Sequence, residues 1–137
     1  MRLPRTAGLG LAALLVLAGL VAGCSRGDGS GDDAPDDVTM EIEITPDPPE
    51  VGPAVVEVTL TDADGVPING ADLEIEGNMS HAGMEPVIVG ATGGQNGRYT
   101  SEDFEFTMGG DWIITVSGTL PGGQEIERVF DLTGVAS

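Results

Sequence analysis

From residue 38 onward, apolar and polar side chains alternate with a period of two, and glycines and prolines cut the alternation into short runs. A period of two puts successive side chains on opposite faces of an extended backbone, so each run can bury one face only. Val38, Met40, Ile42 and Ile44 alternate with Thr39, Glu41, Glu43 and Thr45, and Pro46, Pro48 and Pro49 end that first run. Val56, Val58 and Leu60 form a second, and Ala71, Leu73 and Ile75 a third with Asp72, Glu74 and Glu76 outward. Residues 85–89 predict a short fourth strand, and residues 98–108 a fifth with Phe104, Phe106 and Met108 on one face. Trp112, Ile114 and Val116 mark a sixth strand, and residues 125–132 a seventh. No helical stripe of useful length occurs in this part of the chain.

About seven short strands with turn signals between them predict an all-β fold, an immunoglobulin-like antiparallel β-sandwich. One small barrel is the alternative. Trp112 is expected in the core, and Gly109 with Gly110 reads as a tight hairpin joining the fifth and sixth strands. Asp62-Ala63-Asp64-Gly65 reads as a turn; it lacks the third oxygen ligand and closing glutamate of a calcium loop. Gly90, Gly93, Gly94 and Gly97 also read as turns, because no helix follows to make a phosphate cradle.

The N-terminal segment is of another kind. Arg2 and Arg5 precede an apolar stretch over residues 7–22, too short and too near the start to favour an ordinary spanning helix. It ends in Leu20-Val21-Ala22-Gly23-Cys24, and Cys24 is the only cysteine. Small residues before a cysteine suit a signal peptidase, and a thiol is the nucleophile that can take a lipid. The segment resembles the lipobox of prokaryotic lipoproteins, which implies a signal peptide over residues 1–23 and an extracytoplasmic protein anchored to membrane lipid through Cys24. A plain secretory signal is the other reading. Residues 24–37 are rich in Gly, Ser and Asp, with nothing to bury, and predict an acidic flexible tether to a domain at residues 38–134. With Cys24 lipidated, no thiol is left for a disulfide or a cysteine-based metal site.

Charge narrows the partners. The five basic residues, all arginine, face 23 acidic ones, for a formal net charge of -18. Such a surface repels nucleic acid and anionic lipid and attracts cations and basic proteins. A halophilic source and an ordinary acidic surface are both compatible with it.

One stretch departs from ordinary turns, Gly77-Asn78-Met79-Ser80-His81-Ala82-Gly83-Met84-Glu85-Pro86, which holds the only histidine. Thioethers are soft ligands and imidazole a borderline one, so Met79, His81 and Met84 suit Cu(I) in a protein with no thiol to offer. Met79 and His81 point the same way if the chain is extended there, and Gly83 lets Met84 fold back toward them. Met108 is a fourth candidate donor, although the loop after the third strand need not lie near it in a sandwich. Met40, on the apolar face of the first strand, is expected in the core. Zinc fits poorly with one histidine and no thiol. Two methionines and a histidine can equally plug the open end of a sandwich, because methionine fills irregular gaps.

Met79-x-His81-x-x-Met84-x-Pro86, then Gly97-Arg98-Tyr99, then Phe106-x-Met108-x-Gly110-x-Trp112 with the apolar strand that follows, resemble the YtkA-like domain, a small exported β-sandwich. The resemblance spans residues 38–132. That family is similar to the periplasmic part of FixH-type proteins, which are associated with copper supply to oxidases. It therefore implies Cu(I) as cofactor, copper-handling or oxidase-assembly proteins as partners, and Met79, His81, Met84 and Met108 as ligands supported by Trp112. The chain departs from the family pattern in its extreme acidity.

No enzymatic constellation is expected. Ser80 and His81 are adjacent, so on an extended chain they diverge and cannot act as nucleophile and base. The carboxylates alternate outward along strands, and no pair stands out as acid and base. Two readings stay open: a copper-binding accessory domain, and a protein-interaction or structural domain of the cell envelope.

Overall fold

The computed structural model describes residues 37–81 and 83–137. Cys24, the apolar segment before it and most of the acidic tether lie outside the described residues. Seven strands follow in chain order: β1 (Val38–Thr45), β2 (Gly52–Asp62), β3 (Asp72–Met79), β4 (Val87–Gln95), β5 (Arg98–Phe106), β6 (Gly110–Thr119) and β7 (Glu125–Val135). All pairings between them are antiparallel.

The strands are ordered β1-β2-β5-β4-β3-β6-β7. The first, second and fifth strands make one sheet and the third, sixth and seventh the other, a grouping close to that of a constant-type immunoglobulin sandwich. β4 joins the two sheets. Its first part pairs with β3 from Gly77↔Val87 to Leu73↔Ala91, and its last part pairs with β5 from Thr92↔Thr100. Gly93 and Gly94 carry the crossing with φ of 117° and 97°, a region side chains rarely adopt. Gly90, Gly93 and Gly94, expected as turns, are thus interior to β4. Only Gly97 is in a turn, a two-residue loop in which Asn96 and Gly97 both have positive φ, as a type I′ hairpin requires.

The core follows from the alternation. Ala54, Val56, Val58 and Leu60 of β2 face Leu73 and Ile75 of β3 and Trp112, Ile114 and Val116 of β6, all buried. Met40 is buried with them, as expected. In β5 the inward positions change phase: Tyr99 and Ser101 are buried, then Phe104 and Phe106. A bulge allows this, with Glu102 and Asp103 together opposite Val55, so Tyr99, Phe104 and Phe106 all enter the same core.

Two sequence expectations are corrected here. β5 pairs with β2 and β4, and β6 with β3 and β7, so the Gly109 and Gly110 segment carries the chain from one sheet to the other and is not a hairpin. β5 ends at Phe106, so Met108 does not share its buried face; its side chain is 44% exposed. The Asp62 turn is as read: Asp62 Oδ1 accepts from the amides of Asp64 and Val66, both at 2.9 Å, and Thr61 bridges to Pro67.

Candidate functional site

The run Asp72–Met79 stays extended because its even and odd positions match the two sides of a sheet, and it stops at Met79 where Ser80 and His81 bend. Glycine inside that run, at Gly77, marks a close approach of another group. A Cβ there would stand 2.5 Å from Phe104 Cζ and 3.4 Å from Trp112 Cε3. The aromatic rings occupy that space. Phe106 and Trp112 pack edge to face at 5.3 Å between centroids, and Phe104 meets Phe106 at 5.1 Å and Trp112 at 6.4 Å.

Above this cluster lies the end of the sandwich that carries Met79 and the turn of Met108. β3 pairs with β6, and Met79 stands opposite Trp112. The Met79 side chain points inward and is 8% exposed. Its methyl lies at the start of β6, where a Cβ on Gly110 would be 3.4 Å from Met79 Cε. Gly110 has φ of 125°, so the approach uses a backbone shape that glycine adopts freely.

The turn holding Met108 belongs to the same end. Trp112 is buried, and its indole Nε1–H donates to the Met108 carbonyl at 3.0 Å, which satisfies the one polar group of the ring and fixes the turn above it. Asp111 ties in the neighbouring segments: its backbone oxygen accepts from Ser80 N at 3.3 Å, and Asp111 Oδ1 accepts from Gly134 N at 3.0 Å. The C-terminal residues close over the turn, since a Cβ on Gly109 would meet Ser137 Cβ at 3.0 Å and Val135 O at 3.1 Å.

The remaining candidates are placed less alike. Met84 is half-buried and packs against the core. His81 is exposed on the bend beyond β3, so Met79 and His81 do not share a strand face. Met108 presents its side chain outward while its carbonyl is held by Trp112. Three of the methionines therefore lie on segments that meet at one end, with Met40 of β1 away from them opposite Leu60. Among the described residues no three histidine, cysteine or carboxylate side chains come together where a metal ion could sit. Metal binding at this end would rest on sulfur and the single imidazole.

Asp111 and the close packing at Gly77 were not read from the sequence, and Gly110 was read only as part of a hairpin and of the family signature. Gly77 carried a usable signal, a glycine within an alternating strand. Asp111 carried none, because its role is to join segments 31 and 23 residues away in fold terms no local pattern reports.

The sequence pattern of the YtkA-like family matches residues 32–117. No curated protein matches the chain. Among solved structures, the soluble domain of PmoD from Methylocystis sp. ATCC 49242 (Rockwell) is similar at 15% identity and a TM-score of 0.48, over 77% of this chain and 96% of that one.

Proposed function

Because the chain belongs to the YtkA-like family, we propose that it is a lipid-anchored extracytoplasmic accessory domain that holds Cu(I) at the methionine-bearing end of its sandwich. Cys24 carries the anchor, and the acidic residues after it space the domain from the membrane. Met79, Met84 and Met108 supply thioethers and His81 an imidazole, a donor set suited to a soft monovalent ion. Trp112 walls the site from below. The domain is a carrier without catalysis, handing the ion to a copper-handling or oxidase-assembly protein.

The observation that carries this reading is the pairing of Met79 with Trp112. It sets the Met79 methyl beside Gly110 while the same tryptophan holds the turn of Met108, so two segments far apart in sequence serve one end of the fold. The test is titration of the chain with Cu(I) under reducing conditions, with Met79 and Met84 both replaced by leucine. Methionine to leucine nearly conserves volume, so the variant should keep its fold in a thermal melt. Binding tighter than about micromolar in the parent and weakened at least about tenfold in the variant is expected for thioether ligation. Equal affinities, or no binding in that range, would overturn it.

The other reading, an envelope interaction domain, is favoured by the acidic outer faces of the strands, such as Glu41 and Glu43 on β1 and Glu74 on β3. A basic partner crosslinked to metal-free protein in its native membrane would support it.

A further inference from the structure

β1 and β7 are the two end strands of the order, and they lie along the side of the sandwich away from the β4 crossing. A side chain links them at one end, and the segment after β1 links to the residue after β7 at the other. At one, Arg128 Nη2 donates to Val38 O at 3.2 Å. At the other, Val51 N donates to Ala136 O at 2.8 Å and Ala136 N to Pro49 O at 2.9 Å. Between these links no ladder joins the two strands among the described residues.

Burial follows the links. The inward face of β1 is buried at Val38 and Met40 but only half-buried at Ile42 and Ile44. On β7 it is buried at Ile126 and Val135 but half-buried at Phe130 and Leu132. Those four half-buried side chains all pack on the core, yet they line a groove of about 330 Å³ whose rim carries Glu43 and Asp131. A second groove of about 600 Å³ shares Ile42, Glu43 and Phe130, adds Glu41, and runs from there over the outer face of β2 and β5, where Arg98 is paired with Glu57.

We propose that this seam receives an extended, cationic segment of a partner protein, in which valine or isoleucine alternates with lysine or arginine, as an added strand. The direction of the strands suits it. Followed through the six antiparallel pairings, β1 and β7 run the same way, so one inserted strand can lie antiparallel to both. Its aliphatic side chains would cover Ile42, Ile44, Phe130 and Leu132, while its cations would face Glu41, Glu43 and Asp131. Backbone pairing supplies the affinity and the alternate side chains the selection. Charge argues against a second copy as occupant, since the chain contains no lysine and would bring acidic strands against an acidic rim. Its Leu132 stands opposite Trp112, so the seam adjoins the methionine-bearing end, but the groups it uses are backbone, aliphatic and carboxylate and do not depend on copper.

The test is titration of the full chain with a synthetic peptide alternating lysine with valine and isoleucine, read by backbone amide shifts and hydrogen exchange. A peptide of the same composition in scrambled order is the control. Saturable binding of the alternating peptide alone is expected, with slowed exchange confined to residues 41–44 and 130–132. Replacing Glu43→Lys together with Asp131→Lys, both on the exposed rim, should weaken it about tenfold. The same variant should gain affinity for a peptide with glutamate in place of lysine, which a misfolded protein could not do. No binding, equal binding of the scrambled peptide, protection elsewhere, amides already protected in the free chain, or self-association through these residues would each overturn the proposal.

Discussion

At the scale of single residues, the molecule turns on places where one atom more or less changes the packing. Gly77 is the sharpest, because the Phe104 ring occupies the space of its missing Cβ and Trp112 stands behind that ring. Gly77→Ala should cost about 1–3 kcal/mol, as overpacking a filled core does. Urea unfolding monitored by Trp112 fluorescence would measure it, and an unchanged midpoint would mean that the rings yield freely. Tyr99 is a second such place. Its hydroxyl donates to Ile68 O at 2.7 Å and accepts from Ala71 N at 3.0 Å, holding the segment before β3 against buried β5. Tyr99→Phe leaves both backbone groups without that partner and should destabilise by about 1–3 kcal/mol. The same urea titration reads it. The ring remains, so the loss would report the hydroxyl and not the packing.

At the scale of elements, turns and crossings set which strands meet. The Asn96 and Gly97 turn brings β4 onto β5, and it is locked from outside: Gly97 N donates to Asn69 Oδ1 at 2.8 Å, and Gly97 O accepts from Leu60 N at 2.8 Å. Gly97 has φ of 69°, and a Cβ there would run into Leu60 O. Gly97→Ala should therefore cost about 3 kcal/mol, the upper part of the range for overpacking, with the strain of positive φ included. Amide exchange should quicken at Leu60 and Arg98 before it does in β6 and β7, because the damage is local to the first sheet. Uniform quickening across both sheets would show that the turn is coupled to the whole fold.

At the scale of the whole molecule, charge dominates. With five arginines, of which Arg98 pairs with Glu57 at 3.4 Å, against 23 acidic residues, the carboxylates chiefly repel one another. Salt shortens the screening length from about 30 Å at 0.01 M to about 3 Å at 1 M. Screening weakens that surface ion pair too, but such pairs contribute about 1 kcal/mol at most. The melting temperature should thus rise with sodium chloride, by about 5 °C or more if 1 kcal/mol of repulsion is relieved. A flat or falling midpoint would show that the acidic faces are too far apart to matter.

Much of this protein is written locally, and some of it is not. The alternation at residues 38–44, 56–60, 71–76 and 112–116 marks strands and their inward faces, because facing depends only on a residue and its neighbours two places away. The sandwich, the burial of Trp112 and that of Met40 follow from the same periodicity. Met79, His81 and Met84 stood out as an unusual local composition, whereas Met108 lies apart from that stretch. What tertiary structure decided was partnership. That β4 changes sheets at Gly93 and Gly94, that β5 bulges so Tyr99 and Phe104 both face inward, and that the Gly109 and Gly110 segment crosses between sheets all depend on strands distant in sequence. Met79 meets Trp112, and Met108 leaves the core for the turn above that indole, for the same reason. The seam between β1 and β7 exists only once the first and last strands are brought side by side. Periodicity is a property of neighbours along the chain, whereas pairing is settled by which faces the folded molecule can bury together.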